Sequence, residues 1–158
     1  MPVRPPHPSI SNDSRYPTAD EQAALRAFAA DLPARAGAAA AAERAEDGVF
    51  AAALAALSRE HPQWAAGAAW PAGLQAERAA VRYAAHALLF DEDSLFLGKG
   101  LDWCREVYRA AGVPPEVARR AFGLVRDGFR QALPADSFAR LDPYLKHAAD
   151  DPTPMAPV

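Results

Sequence analysis

Apolar residues recur every three or four positions along most of this chain, which is the spacing of one face of an α-helix. The first series follows Thr18 and Glu21, which have the spacing of a capping box at a helix N-terminus. Its apolar members are Leu25, Phe28 and Leu32. Pro33 has no backbone N–H to continue the helical hydrogen bonds, so we expect it to end or bend this helix.

The second predicted helix covers residues 34–61, with an alanine-rich first half and an apolar stripe in its second half. The stripe consists of Phe50, Leu54 and Leu57. Helical backbone is disfavoured before a proline, so we expect this helix to stop just before Pro62. Residues 62–71 form a predicted loop with two large rings, Trp64 and Trp70, which are expected to fold onto the core or to line the mouth of a pocket.

Two further helices are predicted on either side of an acidic turn at residues 91–93. The first runs from about 72 to 90, with one apolar face formed by Leu74, Val81, Ala85 and Leu88. The second runs over 94–111, with an apolar stripe of Leu97, Leu101, Cys104 and Tyr108. Gly112 is expected to end it, because glycine readily adopts the left-handed conformation that terminates helices.

The remaining helical signal begins at Pro114 and Pro115, and Pro115 suits the first turn of a helix. Pro143 is expected to split the last part, with Asp142 as a new N-cap. Strict alternation of apolar and polar residues, the mark of a strand, does not occur over any useful length. The pattern therefore predicts one all-α domain of six to seven helices over residues 18–149.

Residues 1–17 and 150–158 hold little apolar surface to bury, so we expect a flexible arm and a flexible tail. The net charge of −3 and a pI near 5.8 predict no basic patch, which argues against nucleic acid or an anionic membrane as partner. No apolar run is long enough to span a membrane, and the N-terminus lacks the apolar core of a secretion signal. We therefore expect a cytoplasmic protein.

Three polar residues lie on one side of the helix at 72–90, where Arg78, Arg82 and His86 follow one another every four positions. The arginines could pair with the carboxylates of a ligand, or they could lie on a solvated face together with Glu77. His86 could bind a metal, contact a tetrapyrrole or carry protons, or it could lie at the edge of the core with one hydrogen bond.

The apolar stripe of the next helix contains two residues with reactive side chains, Cys104 and Tyr108. Cys104 is the single cysteine, which excludes an internal disulfide and a CxxC zinc site, and we expect it to pack as a small apolar residue. Tyr108 is expected to face inward, where its hydroxyl needs a hydrogen-bond partner; a tyrosine can also bind haem iron as phenolate. The sequence contains no recognised catalytic motif, so we expect no enzymatic activity.

Several motifs follow one another in a fixed order: ALRAF at 24–28, ALAALSREHP at 53–62, VRY at 81–83 and WCREVYRAAGVP at 103–114. Over about residues 18–135 their order and spacing resemble those of phycobiliproteins, the globin-like bilin carriers of light-harvesting antennae. The resemblance implies a globin fold of phycobiliprotein type and a linear tetrapyrrole as ligand. The chain is also similar to the globins of non-photosynthetic bacteria that accompany bilin-making enzymes.

The bilin-attachment signature of phycobiliproteins, A-A-C-L-R-D, falls on residues 71–76, which read PAGLQA here. Gly73 occupies the position of the attachment cysteine. Gln75 and Ala76 replace the arginine and the aspartate that hold a propionate and the pyrrole nitrogens in that family. The resemblance therefore implies that a bilin would be bound without a covalent bond.

The leading hypothesis is a non-enzymatic protein that binds a bilin between the helices at 72–90 and 94–111, in connection with a haem oxygenase or a bilin reductase. The expected ligand contacts are Trp70, Arg78, Arg82, His86 and Tyr108, with the two arginines at the propionates. One alternative is a haem-binding globin with Tyr108 or His86 as axial ligand, since Tyr108 lies where bacterial haemoglobins place their proximal histidine. Another is a ligand-free interaction or sensor module that forms a homodimer through its N-terminal helices.

Overall fold

The computed structural model describes residues 16–65, 67 and 69–150, without the side chains of residues 64, 65 and 69. Most of the predicted arm and tail, and the side chain of Trp64, lie outside the described residues. Five main helices form the described part of the chain, which contains no strand. The all-α prediction is confirmed, whereas the expected number of six to seven helices is wrong.

The helices follow one another with short connections. Their bounds are Ala19–Glu60 for α1, Ala69–Phe90 for α2, Pro115–Ala132 for α4 and Ala135–Asp150 for α5. Between α2 and α4, α3 begins with a π-helical segment, Leu95–Leu101, and continues as regular α-helix through Asp102–Ala110. A single helical turn, Pro62–Ala65, joins α1 to α2. In the described ranges, none of these helices has the length and apolar character to cross a membrane.

Pro33 lies inside α1 and does not end it, so the two predicted N-terminal helices are one helix of 42 residues. Pro33 is exposed, and its ring therefore meets solvent instead of the core. The buried Arg35 side chain donates a hydrogen bond of 2.8 Å to the carbonyl of Phe28 and lies 4.0 Å from the centre of the Phe28 ring. Its Nε is also 3.4 Å from the Asp31 carboxylate. These contacts join the turns on either side of the proline.

Pro143 likewise lies inside a helix, α5, and the predicted split at this position is wrong. The neighbouring Asp142 does not act as a new cap, because its carboxylate accepts hydrogen bonds of 2.6 and 3.1 Å from Arg126 of α4. Tyr144 is buried and donates a hydrogen bond of 2.8 Å to Asp93. Contacts on both sides of Pro143 thus hold α5 in place as one helix.

The predicted loop 62–71 is wrong in part, because it contains the helical turn Pro62–Ala65 and α2 already begins at Ala69 instead of near residue 72. Other predicted helix ends are confirmed. Thr18 and Glu21 form the capping box of α1, with hydrogen bonds of 2.6 and 3.3 Å. Gly112 has a φ of 69°, and the N–H of Val113 donates to the carbonyl of Tyr108, which is the Schellman pattern at the end of α3. Pro115 occupies the first turn of α4.

The core is built around α2, which contacts α1, α3 and α5. Its buried face carries small residues between large ones: Trp70, Leu74, Ala76, Ala80, Ala84, Ala87 and Leu88. Trp70 is fully buried, with its ring 6.1 Å from that of His61, so this half of the predicted tryptophan pair folds onto the core. Small residues let the neighbouring helices approach α2 closely.

The two halves of α1 differ in their contact with this core. From Arg35 onward the helix has nine buried residues, whereas no residue of its first part, 19–34, is buried. Leu25 and Leu32 of the predicted apolar stripe are each 41% exposed. The first four turns of α1 therefore present an apolar stripe to solvent.

Candidate functional site

The five residues that the sequence indicates do not form one site. Arg82 and His86 line a groove between α1 and α2, and Arg78 lies one turn away at the same contact. Trp70 and Tyr108 are buried in the interior, outside the lining of that groove. The structure thus separates a solvent-accessible set from a buried set on two faces of α2.

The groove has a volume of about 590 Å³, and alanines form most of its apolar floor. Those alanines are Ala36, Ala39, Ala40, Ala42 and Ala85. The α1 side also carries three acidic residues, Glu43, Glu46 and Asp47, whereas the α2 side carries Arg82 and His86. The groove is therefore apolar along its floor and has charges of opposite sign along its two walls.

Both arginines already have carboxylate partners on α1. Arg82 makes a two-pronged pair with Glu46, with hydrogen bonds of 3.0 and 2.7 Å, and this pairing raises the pKa of Arg82. Arg78 lies 2.7 Å from Asp47 and 3.4 Å from Glu46, above the ring of Phe50. Glu46 is only 7% exposed and is thus a buried carboxylate held by two arginines. A ligand carboxylate would have to compete with it.

His86 is exposed on α2 at the edge of the groove. Its ring lies 6.4 Å from that of Tyr83, in an edge-to-face arrangement. This geometry leaves the imidazole accessible to a ligand in the groove.

The face of α2 toward α3 is closed. A Cβ atom on Gly100 of α3 would lie 3.3 Å from the Cα of Ala80 and 3.0 Å from the Cβ of Tyr83. At Gly73 a Cβ would lie only 2.7 Å from Cζ of Tyr108. Side chains of the protein itself therefore fill the space between α2 and α3, and the prediction of a ligand pocket between these two helices is wrong.

By its resemblance to phycobiliproteins, the chain has Gly73 at the position of their attachment cysteine. The Tyr108 ring occupies the volume that any side chain at residue 73 would need. The absence of a side chain at residue 73 thus leaves room for the Tyr108 ring.

The hydroxyl of Tyr108 donates a hydrogen bond of 2.5 Å to Oε1 of Glu77, and both residues are buried. The other carboxyl oxygen of Glu77, Oε2, has no hydrogen-bond partner among the described residues. Burial raises the pKa of Glu77 to about 8, and the hydrogen bond from Tyr108 opposes this rise. Near neutral pH Glu77 is therefore mainly a neutral carboxylic acid.

Tyr108 and Cys104 share this buried environment. Burial, followed by the nearby Glu77, raises the pKa of each of them, while Arg105 partly opposes the rise for Cys104. Both side chains consequently stay protonated at neutral pH. Cys104 packs as the expected small apolar residue, and the surroundings of Tyr108 oppose the phenolate form that would bind haem iron.

From the sequence, one alternative for the arginines was a solvated face shared with Glu77, whereas the structure shows Glu77 fully buried. The signal for burial was its spacing within the apolar stripe of α2. Trp70, Leu74, Glu77, Val81, Ala84 and Leu88 follow one another at intervals of three or four. Glu46 lies in the same way between Ala42 and Val49 on α1. A charged residue inside such a stripe indicates a buried carboxyl.

Comparison with known proteins supports the phycobiliprotein resemblance. The family model described as Phycobilisome protein matches residues 9–151, which is most of the chain. No curated protein sequence matches it significantly. The match covers all five helices and both faces of α2, and it confirms the phycobiliprotein-like globin fold expected from the motifs. The chain therefore belongs to the phycobilisome protein family.

Proposed function

We propose that this protein binds a linear tetrapyrrole without a covalent bond, in the groove between α1 and α2. The observation that carries the proposal is an open groove of about 590 Å³ with an apolar floor, in a chain of the phycobilisome protein family that lacks the attachment cysteine. Cofactor sites commonly have volumes of about 300–1,000 Å³ and mostly apolar walls. The groove is therefore large enough for a tetrapyrrole.

The charges of the groove give the ligand one orientation. Its propionates would lie along the α2 wall, beside Arg82 and His86, because the acidic residues of the α1 wall repel them. Binding would require Arg82 to exchange Glu46 for a propionate, or to hold both. The ring system would lie on the alanines.

Titration of the purified protein with biliverdin tests this proposal. We expect the visible absorption of biliverdin to shift and to saturate at one ligand per chain. Ala85→Phe, which fills the groove, should abolish the shift, whereas Ala72→Phe on the exposed side of the same helix should preserve it. An unchanged spectrum in the wild-type protein, or an equal effect of both variants, would contradict the proposal.

A protein that holds its bilin without a covalent bond can also release it. This property suits a carrier that works beside a haem oxygenase or a bilin reductase and has no enzymatic activity of its own. The carrier role predicts that bilin-loaded protein delivers its ligand to a bilin reductase in a stopped-flow experiment. Retention of the bilin under those conditions would argue for storage instead.

A haem-binding globin is the competing ligand hypothesis, and His86 is its better candidate for the axial ligand because the imidazole is exposed at the groove. Adding haem to the same protein would then give a Soret band that His86→Ala removes. Tyr108→Phe should leave that band unchanged, because the buried phenol stays protonated. A Soret band lost in Tyr108→Phe would reverse this assignment.

The exposed stripe on the first part of α1 favours a second function, self-association. Leu25 and Leu32 lie on a helical segment without buried residues, and a second copy of the chain could cover them. We expect sedimentation to detect a homodimer that Leu25→Glu together with Leu32→Glu converts into a monomer. The matched control is Ala23→Glu with Ala30→Glu on other exposed positions of this segment. A wild-type monomer at high concentration would exclude this dimer.

A further inference from the structure

The contact between α2 and α3 contains a buried acid without a cation beside it among the described residues. Glu77 is fully buried, and its one hydrogen bond in this part of the chain comes from the neutral hydroxyl of Tyr108. Its second oxygen, Oε2, has no partner in the described ranges. Such a site tolerates the neutral acid, but the carboxylate form would lack solvation and an ion-pair partner.

The ionisable groups around Glu77 do not stabilise its carboxylate form over the neutral acid. From α3, Tyr108 and Cys104 face it, and both are neutral at physiological pH. Arg105 on the same helix acts on Cys104 and lies 3.4 Å from Asp102. On the α1 side of α2, the charged groups Glu46 and Asp47 are paired with arginines. Burial and the hydrogen bond from Tyr108 are the causes that shift the pKa of Glu77 in the described part of the chain, and the nearby charges on α1 and α3 have partners of their own.

The helix that carries Tyr108 and Cys104 has a structural irregularity next to this site. The first part of α3, Leu95–Leu101, is π-helical, and a π-helical segment is wider and less stable than regular α-helix. Gly98 lies on the outer side of this segment, where a Cβ atom would meet nothing within 4 Å, whereas Phe96, Gly100 and Leu101 are buried on its inner side. The change from π-helical to regular helical hydrogen bonding thus lies directly before Asp102–Ala110, the segment that carries Tyr108 and Cys104.

We infer that loss of the proton from Glu77 opens the contact between α2 and segment 102–110 of α3, so that the core of this protein contains a proton-controlled switch. The proton passes to solvent, and water enters to solvate the carboxylate. The movement withdraws the Tyr108 ring from Gly73 and exposes Cys104. At low pH the neutral acid keeps the contact closed.

Cys104 provides the readout, because it is the one cysteine of the chain and is fully buried in the closed state. Its rate of reaction with DTNB is measured between pH 6 and 9 and divided by the rate of the urea-unfolded protein at the same pH. This ratio removes the intrinsic pH dependence of the thiol. We expect it to rise by up to about tenfold per pH unit to about pH 8 and then to level off, since opening releases one proton.

Two variants identify the acid that is responsible. Glu77→Gln keeps an oxygen that accepts from Tyr108 but cannot ionise, so the ratio should no longer depend on pH. Tyr108→Phe removes the hydrogen bond that lowers the pKa of Glu77, and the rise should therefore continue to a higher pH. If Glu77→Gln does not fold, the shift of the plateau to higher pH in Tyr108→Phe still tests whether Glu77 controls the exposure of Cys104.

Urea separates local opening from global unfolding. For a local switch, the rate at pH 8 stays constant at low urea concentrations and increases only near the unfolding transition. The inference is overturned by a pH-independent ratio in the wild-type protein, by an equal rise in Glu77→Gln, or by an unmoved plateau in Tyr108→Phe. A rate that follows global unfolding from the lowest urea concentration would also overturn it.

Discussion

A buried carboxyl group lies at each of two faces of α2, and the two groups have different kinds of partner. Toward α1, Glu46 is held by Arg78 and Arg82 beside an open groove. Toward α3, Glu77 is fully buried with a tyrosine hydroxyl as its partner, in a contact without room for a side chain at Gly73. A carboxyl group can thus be buried in two ways, either as a carboxylate paired with a cation or as a neutral acid that keeps its proton.

This difference separates two properties of the protein. The α1 face has charges and apolar surface that a ligand can reach, so its chemistry can change by exchange of ion-pair partners. The α3 face is filled, so its chemistry can change only if the contact opens. Ligand binding and a response to pH are therefore expected at different faces of the same helix.

The largest expected effect is on the free energy of unfolding as a function of pH. Between pH 5 and 8 unfolded Glu77 has lost its proton, whereas folded Glu77 keeps it, since burial raises its pKa from 4.5 to about 8. Folding therefore takes up a proton in this range, and stability falls as pH rises, by up to about 1.4 kcal/mol per pH unit. Urea titrations at several pH values measure this slope.

Glu77→Gln is the control for that prediction. The variant should lose the fall in stability between pH 5 and 8, whatever its absolute stability. An equal slope in both proteins would show that other groups cause the pH dependence and that the α3 face does not differ from the α1 face in this respect.

A smaller effect is expected from filling the closed contact. Gly73→Ala places a Cβ atom 2.7 Å from Cζ of the Tyr108 ring and should lower the free energy of unfolding by about 1–3 kcal/mol. Gly48→Ala in α1, with nothing within 4 Å, should instead raise it by up to about 1 kcal/mol. In a Tyr108→Ala background, Gly73→Ala should no longer destabilise the protein. If it still does, the tyrosine is not what excludes a side chain at 73.

An effect of about 1 kcal/mol is expected from the ion pair at the groove. Glu46→Gln releases Arg82 from its carboxylate partner, so biliverdin should bind about fivefold more tightly, as measured by absorbance titration. Arg82→Gln should weaken binding by a similar factor. Equal affinities in all three proteins would mean that this wall of the groove does not contact the propionates.

The smallest effect concerns stability at the same ion pair. Arg82 is 58% exposed, and Arg78 remains close to Glu46 when Arg82 is replaced. Arg82→Gln should therefore cost about 0.5 kcal/mol in urea unfolding, because the exposed guanidinium is largely solvated and Arg78 still neutralises the buried Glu46. A cost of several kcal/mol would show that Glu46 depends on Arg82 as strongly as a fully buried charge depends on its partner.

The ends of several helices followed directly from the sequence, because caps and stops depend on neighbouring residues. Thr18 with Glu21, Gly112 and Pro115 all act locally, and each was predicted in its observed role. Pro33 does not end α1 and Pro143 does not split α5, because the contacts of Arg35 and Asp142 hold the neighbouring turns in place. The order and spacing of the motifs identified the family, because both can be read from the sequence without knowledge of the fold.

The all-α class, the family resemblance and the absence of the attachment cysteine at residue 73 could all be read from the amino-acid sequence. Only the tertiary structure showed that the Tyr108 ring occupies the space above Gly73, that Glu77 has a tyrosine hydroxyl as its partner, and that Arg78 and Arg82 already have carboxylate partners. The physical reason is distance along the chain. Residues 77 and 108, or 46 and 82, meet only after the helices pack, and the cost or gain of burying a charge depends on what lies opposite.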